Sequence, residues 1–358
     1  MLLRALPAAL LIPSVWLCAP AIPSAQGEQA SETVPATVPA SAVVPESAPN
    51  RPPFDEWVTG VREEALARGI SAATLDAALA GLEPLPIVVE RDRAQAEFTF
   101  TLDGYIKRRL TRPMVRDTRR AYARHRTLLR KVGARYDVAP AILGSIWALE
   151  SNLGRFSGVR PTIATLATLA WDGRRPFFRA ELLDALTIVD RGDIELAAMR
   201  GSWAGAMGQP QFMPSSYLRH AQDFDGDGRK DIWRSQGDVF ASIAAYLNDR
   251  GWNGRQTWGR EVRLPADMTA INTAAPLRTE GCRAFRGMTV PLPLARWHAL
   301  GVRRVGGQRL PRAEMDASLV RGETRAFLVY GNYEAILGYN CAHAYALSVA
   351  LLSESLQR

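Results

Sequence analysis

The chain has 358 residues, 47% of them hydrophobic, with nine tryptophans and a formal net charge of +8. That length and apolar content exclude a wholly disordered chain and suit one large domain or two to three small ones. The positive balance fits an anionic partner or plain solubility, and does not choose between them.

Residues 1–21, M-L-L-R-A-L-P-A-A-L-L-I-P-S-V-W-L-C-A-P-A, read as a signal peptide. One Arg precedes an apolar stretch, small residues follow, and Ala19-Pro20-Ala21 forms a cleavage pattern, with Ala25 as a second. The stretch is short for a membrane span and holds Pro7 and Pro13. Cys18 raises lipid attachment, but Trp16 and Leu17 stand where that signal wants small residues, so a membrane tether is expected only if Cys18 is lipidated. Residues 22–53, rich in Ala, Pro, Ser and Val, read as a disordered tether.

Residues 54–260 read as a helical core. F-D-E-W-V-T-G-V-R-E-E-A-L-A-R-G-I is amphipathic and stops at Gly69, and S-A-A-T-L-D-A-A-L-A starts on a Ser cap. Arg116 to Tyr136 carries a basic face with Arg116, Arg119, Arg120, Arg124 and Arg126, read as a solvated surface. Pro140 then opens a helix that runs from Ala141 to Glu150. Ile142, Ile146, Leu149 and Glu150 share one face, with Leu143 and Trp147 beside it. A carboxyl placed there is desolvated, which favours its neutral form, and the C-terminal end of the helix dipole disfavours the anion further. An acid that stays protonated near neutral pH can give a proton to a leaving oxygen. An ion pair with Arg155, or simple exposure at the helix end, is the competing reading.

The segment G-S-W-A-G-A-M-G-Q-P-Q-F-M-P-S-S-Y, residues 201–217, is rich in glycine but lacks the lysine and preceding strand of a phosphate loop. Ser202, Gln211, Ser215 and Ser216 offer neutral hydrogen-bonding groups beside Trp203, Phe212 and Tyr217, which suits a sugar; a tight packing loop is the alternative. Next, D-F-D-G-D-G-R-K-D-I-W matches the first half of an EF-hand calcium loop. Asp223, Asp225 and Asp227 take the first three ligand positions, the Arg229 carbonyl the fourth, and Asp231 the ninth position. Arg234 falls at position 12 and cannot bind a cation, so a longer loop reaching Asp238 is required. The expected role of calcium is structural, with no cofactor for catalysis.

Residues 261–330 change character: E-V-R-L-P, M-T-V-P-L-P and A-F-L-V-Y are short, β-prone and separated by Gly and Pro. They read as a small β-rich subdomain. Residues 331–358 return to the core as a C-terminal helix. After export the chain would hold Cys282 and Cys341, either as one disulfide or as two buried thiols.

Taken together, W-A-L-E-S-N-L-G-R-F-S-G, T-L-A-T-L-A, the glycine-rich segment and the acidic loop resemble the lytic murein transglycosylase B family, in its order and spacing. R-W-H-A-L-G-V-R-R and A-I-L-G-Y-N extend the resemblance over roughly residues 54–355. It implies a mainly α (α+β) fold, a lysozyme-like helical core with an EF-hand-like calcium loop and a small β-rich subdomain. It also implies a periplasmic enzyme that cleaves the β-1,4 bond between N-acetylmuramic acid and N-acetylglucosamine of peptidoglycan, leaving 1,6-anhydromuramoyl ends. Glu150 matches the family's single acid/base. Ser202, Gln211, Tyr246, Tyr339 and Asn340 match cleft residues, and Tyr105 matches less closely. Asp223, Asp225, Asp227 and Asp238 match side-chain calcium ligands.

No segment matched to the cleft supplies the second carboxylate that ordinary glycosidases use. Asp172 and Glu181 are the nearest downstream acids, and helical, surface readings suit both. The expected partner is the peptidoglycan strand, with complexes of cell-wall synthesis or secretion as further partners and no nucleic acid. The alternatives are a lysozyme-type hydrolase on the same fold and a non-catalytic peptidoglycan-binding scaffold.

Overall fold

The structure is a computed structural model that describes residues 51–94 and 101–357. The signal-like segment, Cys18 and all but the last residues of the 22–53 tether lie outside the described residues.

The helices begin where the local chemistry starts them. Phe54–Ala67 carries Asp55 and Glu56 in its first turn, and Gly69 leaves it with a positive φ of 85°. Ser71 caps Ala72–Leu79 by accepting the Thr74 N–H at 3.2 Å. The basic stretch forms two helices, Arg112–Arg124 and Arg126–Tyr136, that meet at His125. Its arginines at 116, 119, 120, 124 and 126 are all exposed. Asp137 then takes a left-handed conformation, and Pro140 starts the helix Pro140–Ser151.

That helix is central. Every residue in it except Pro140 and Glu150 is buried. The single apolar face of the sequence reading is therefore a helix enclosed on all sides, as its apolar composition demands. The C-terminal helix His343–Gln357 and the helices Arg112–Arg124, Arg126–Tyr136 and Gln236–Asp249 surround it. They form one core around Leu143, Ile146, Trp147, Phe240 and Tyr333. A second core, around Leu166, Phe178, Leu182, Phe212 and Tyr217, joins the N-terminal helices to Thr162–Asp172 and Phe177–Asp190. The helix Gln236–Asp249 serves both: Phe240 and Leu247 point into the first core, Tyr246 into the second.

Among the described residues, seven short strands complete the fold. The pair β1 (Arg160–Pro161) and β2 (Arg200–Gly201) is antiparallel. A five-stranded antiparallel sheet holds β3 (Gly259–Arg263), β4 (Leu292–Pro293), β5 (Arg303–Arg304), β6 (Asp316–Arg321) and β7 (Ala326–Val329), in the order β4-β6-β7-β3-β5. It covers a third core around Trp297, Leu319 and Leu328. The run M-T-V-P-L-P yields only β4, because Pro291 and Pro293 lack N–H donors for a ladder. The longest strand, β6, escapes the sequence reading: its four central residues are all buried, so it shows no alternation.

The expected C-terminal helix is two, Gly331–Tyr339 and His343–Gln357, bent by 117°. Asn340 is extended at the break, and next to it Cys341 is bonded to Cys282. This bond closes a loop of 59 residues. In a chain-entropy account such a loop contributes about 4 kcal/mol. Reduction, or Cys341→Ala, is expected to lower unfolding stability by about 2–4 kcal/mol in urea titrations and to steepen the slope of the transition, because the unfolded chain expands.

Candidate active site

Glu150 sits in the last turn of Pro140–Ser151, half-buried where its neighbours are fully enclosed. Burial pushes its carboxyl up to about 7, while the Tyr345 hydroxyl and the Arg109 guanidinium pull weakly the other way. Arg109, from the helix Leu102–Arg109, donates to the Leu149 carbonyl, one of the carbonyls a helix end leaves without an internal partner. The Tyr345 hydroxyl is buried, and the Glu150 carboxyl is the polar group it faces. Among the described residues no ion pair joins Glu150 to Arg155.

The exit from this helix is unusual. Asn152, Leu153 and Gly154 all have positive φ, at 49°, 65° and 76°. A leucine held there is strained, and such strain persists only where the surroundings over-determine it. Gly154 lies against Gln209: a Cβ at this position would stand 2.5 Å from Gln209 Oε1. Sequence reasoning passed over Gln209, yet it ties the region together. Its Oε1 accepts from Trp147 Nε1 at 2.7 Å and from Gln236 Nε2 at 3.0 Å, and its Nε2 donates to the Trp233 carbonyl at 2.8 Å. The signal for it was only its place between Gly208 and Gln211 in a turn-rich run.

The glycine-rich segment folds into tight turns. Ser202 Oγ accepts from the Ala204 and Ala206 amides, and Gln211, at φ 55°, donates from Nε2 to the Gly208 carbonyl at 2.8 Å. Met207 and Phe212 exchange backbone hydrogen bonds across the turn. Phe212 stacks near Tyr246 and Tyr339, whose ring centres are 4.8 Å apart. Tyr339 Oη donates to the Pro210 carbonyl and Tyr246 Oη to the Gly338 carbonyl, each at 2.6 Å. Tyr345 stacks on Tyr339 in turn. Burial raises the Tyr339 hydroxyl far above its ordinary value, and the Glu150 charge adds to this.

Glu150, Tyr339, Tyr345 and Tyr246 thus form one electrostatic group, linked through Tyr339 to the loop of Ser202 and Gln211. Tyr345 also escaped the sequence reading, because its helical surroundings look like ordinary core. Asn340 is exposed beside Tyr339. Tyr105 is half-buried on the same helix as Arg109, and no described contact joins it to this group.

Asp172 and Glu181 are helical but not on the surface: both are buried. Asp172 pairs with Arg51 and Arg93, and Glu181 accepts from the Ser215 amide and hydroxyl. Each carboxylate is held by its own partners, the condition under which a charge tolerates burial.

In the acidic loop, carboxylate oxygens of Asp223, Asp225 and Asp227 lie within 4.8 Å of one another. Asp238 is fully buried and accepts the Phe224 and Asp231 amides at 2.7 and 2.8 Å; burial, then the charges of Asp225 and Asp223, push its carboxyl up. Asp231 accepts the Trp233 and Arg234 amides, which accounts for it as a turn former. Arg229 stands in the turn through its amide, which donates to Asp227.

The raised Glu150 carboxyl has a consequence for stability. Between pH 4.5 and about 7 the unfolded chain loses this proton while the folded chain keeps it, so stability falls across that window as pH rises. Glu150→Gln removes that cost. In urea titrations the variant is expected to match wild type at pH 4 and to exceed it at pH 8 by about 2 kcal/mol, after discounting for the open side of the carboxyl. Equal stabilities at both pH values would show that the carboxyl is not held neutral.

Residues 53–354 match the transglycosylase SLT domain family. The chain is 30% identical over 230 residues to the membrane-bound lytic murein transglycosylase B of Escherichia coli K12, and the match spans 62% of this chain but only 58% of that relative. It resembles SltB3 from Pseudomonas aeruginosa, solved with NAG-anhNAM-pentapeptide, at 44% identity and a TM-score of 0.78, covering 85% of this chain and 79% of that one. A second SltB3 structure, with NAG-NAM-pentapeptide, matches equally. Escherichia coli Slt35 in complex with calcium shares the fold at 24% identity and a TM-score of 0.69, covering 85% of this chain and 93% of that one. With nearly the whole described chain matched and its mainly helical, lysozyme-like fold in place, the protein belongs to the transglycosylase SLT domain family.

Proposed function

We propose that this protein is a peptidoglycan lytic transglycosylase that cleaves the β-1,4 bond between N-acetylmuramic acid and N-acetylglucosamine. The observation that carries the reading is the Glu150 carboxyl, raised to about 7 at the end of a buried helix and faced by tyrosines. Family membership and the muropeptides bound by SltB3 support the substrate class.

Glu150 is the general acid toward the glycosidic oxygen. Once ionised, it takes the proton from the muramic C6 hydroxyl, which attacks the anomeric carbon and closes a 1,6-anhydro ring. Arg109 is the cation nearest in effect, and it favours the ionised form between these two steps. Among the described residues, no other carboxylate contributes to the Glu150 shift. The substrate's N-acetyl group is then the group that stabilises positive charge at the anomeric carbon. Ser202, Gln211, Tyr246, Tyr339 and Asn340 line the sugar path, with Tyr105 at its edge. A periplasmic location fits the Cys282–Cys341 bond, since disulfides persist in oxidising compartments.

Glu150→Gln is expected to reduce release of muropeptides from purified sacculi by about 10³-fold or more while sacculus binding persists. Mass spectrometry of wild-type products should show anhydro ends. Products heavier by one water would assign a hydrolase, and undiminished release by Glu150→Gln would remove the acid from its role.

The acidic loop is a calcium site in this reading. Three clustered carboxylates supply hard oxygen donors, and a cation beside Asp238 would offset the burial and the neighbouring charges that push its carboxyl up. Asp223, Asp225, Asp227 and Asp238 would hold the ion with the Arg229 carbonyl, and its contribution is structural. Calcium should raise the melting temperature by at least about 2 °C, and Asp225→Ala should abolish the rise. No shift with saturating calcium would discard the site.

A further inference from the structure

A cavity of about 380 Å³ opens beside Ser157 and Gly158, on the exit from the Glu150 helix. Asp193, Glu195, Arg200, Arg229, Arg234 and Trp233 line it, with Ser157 and Gly158. Its size is that of a small-ligand pocket. Gly158, on the exit from the Glu150 helix, packs so closely on Gly201 that a Cβ would stand 2.0 Å from the Gly201 carbonyl carbon, and Ser202 follows at once. On the other side, Trp233 holds Gln209 through its carbonyl.

The charges in this cavity do not neutralise one another. Among the described residues, Asp193, Glu195, Arg229 and Arg234 form no ion pair, although cations and carboxylates line the same concavity. Arg200 donates only to the Val159 carbonyl. The Trp233 indole N–H is buried without an acceptor. A concave surface that keeps opposite charges apart is complementary to a ligand carrying both, because each charge finds its partner on the ligand. Separate carboxylates and guanidinium groups select against a purely anionic or purely cationic guest.

We propose that this cavity binds a charged portion of the substrate's peptide stem, at a residue that presents both a free amine and a carboxylate. Asp193 and Glu195 take the ammonium group, and Arg200, Arg229 and Arg234 take the carboxylate. The proposal rests on the peptidoglycan reading above and names the part of that substrate which the cleft residues leave unassigned. The cavity acts as a specificity site: it adds binding for strands that carry stems and has no part in the chemical step.

The test uses the full chain, the double variant Asp193→Asn/Arg234→Gln, and a free tetrapeptide stem with one side-chain amine. By calorimetry the wild type should bind the peptide, and N-acetylating that amine or amidating the carboxylates should each weaken binding about tenfold. The double variant should lose the same factor while keeping the wild-type melting temperature. On glycan strands with stems its kcat/KM should fall about tenfold; on stem-free strands it should be unchanged. Equal peptide binding by wild type and variant, or equal losses on both kinds of strand, would overturn the proposal. If wild type cleaves neither strand, the enzymatic reading fails, and the calorimetry alone still decides the cavity.

Discussion

The site rests on one constraint: a carboxyl group must remain in a place that opposes its ionisation. Glu150 stands at the C-terminal end of an enclosed helix, where burial and the helix dipole both disfavour the anion. Left alone, such a group would hold its proton well above the ordinary carboxylate range. Arg109 limits this. By capping the Leu149 carbonyl it satisfies a helix-end acceptor and places a cation within electrostatic reach of the carboxyl. The balance leaves the acid near neutrality, where it can both give and take a proton.

Holding that balance requires rigid walls, and these come from polar contacts threaded between two apolar cores. The Gln209 side chain joins Trp147 on one stretch of chain to Trp233 and Gln236 on another. Removing it would leave the buried Trp147 N–H without an acceptor, at a cost of about 1–3 kcal/mol. Tyr339 packs against both helical cores, and its hydroxyl fastens the glycine-rich turn. The Cys282–Cys341 bond fixes the chain two residues beyond Tyr339. The tyrosine face is therefore held at its backbone from one side and at its hydroxyls from the other.

The acidic loop shows carboxylates shaping their own backbone. Asp223 accepts the Gly226 and Gly228 amides, and Asp227 accepts that of Arg229, so the turn is shaped by its own carboxylates. Asp238 reaches back from the helix Gln236–Asp249 to two loop amides and so anchors the loop to the helix that also carries Tyr246. Loop and cleft are mechanically connected through that helix.

By itself, the sequence determined the local features whose physics is local: the amphipathic helix stopped by Gly69, the Ser71-capped helix after it, the proline start of the Glu150 helix, the β-prone stretch, and the aspartate spacing of the acidic loop. It also singled out Glu150, because an acid closing an apolar run is conspicuous in one dimension. Tertiary structure decided what depends on distant neighbours. Strand β6 carries no alternation because both its faces are covered. Asp172 and Glu181 are buried because Arg51, Arg93 and Ser215 come from elsewhere to meet them. Arg109, Gln209 and Tyr345 became members of the site only when chain segments 40 to nearly 200 residues away were folded against Glu150. A pKa is set by surroundings in three dimensions, and so is the partner of a buried amide. Neither has a signature in residue order.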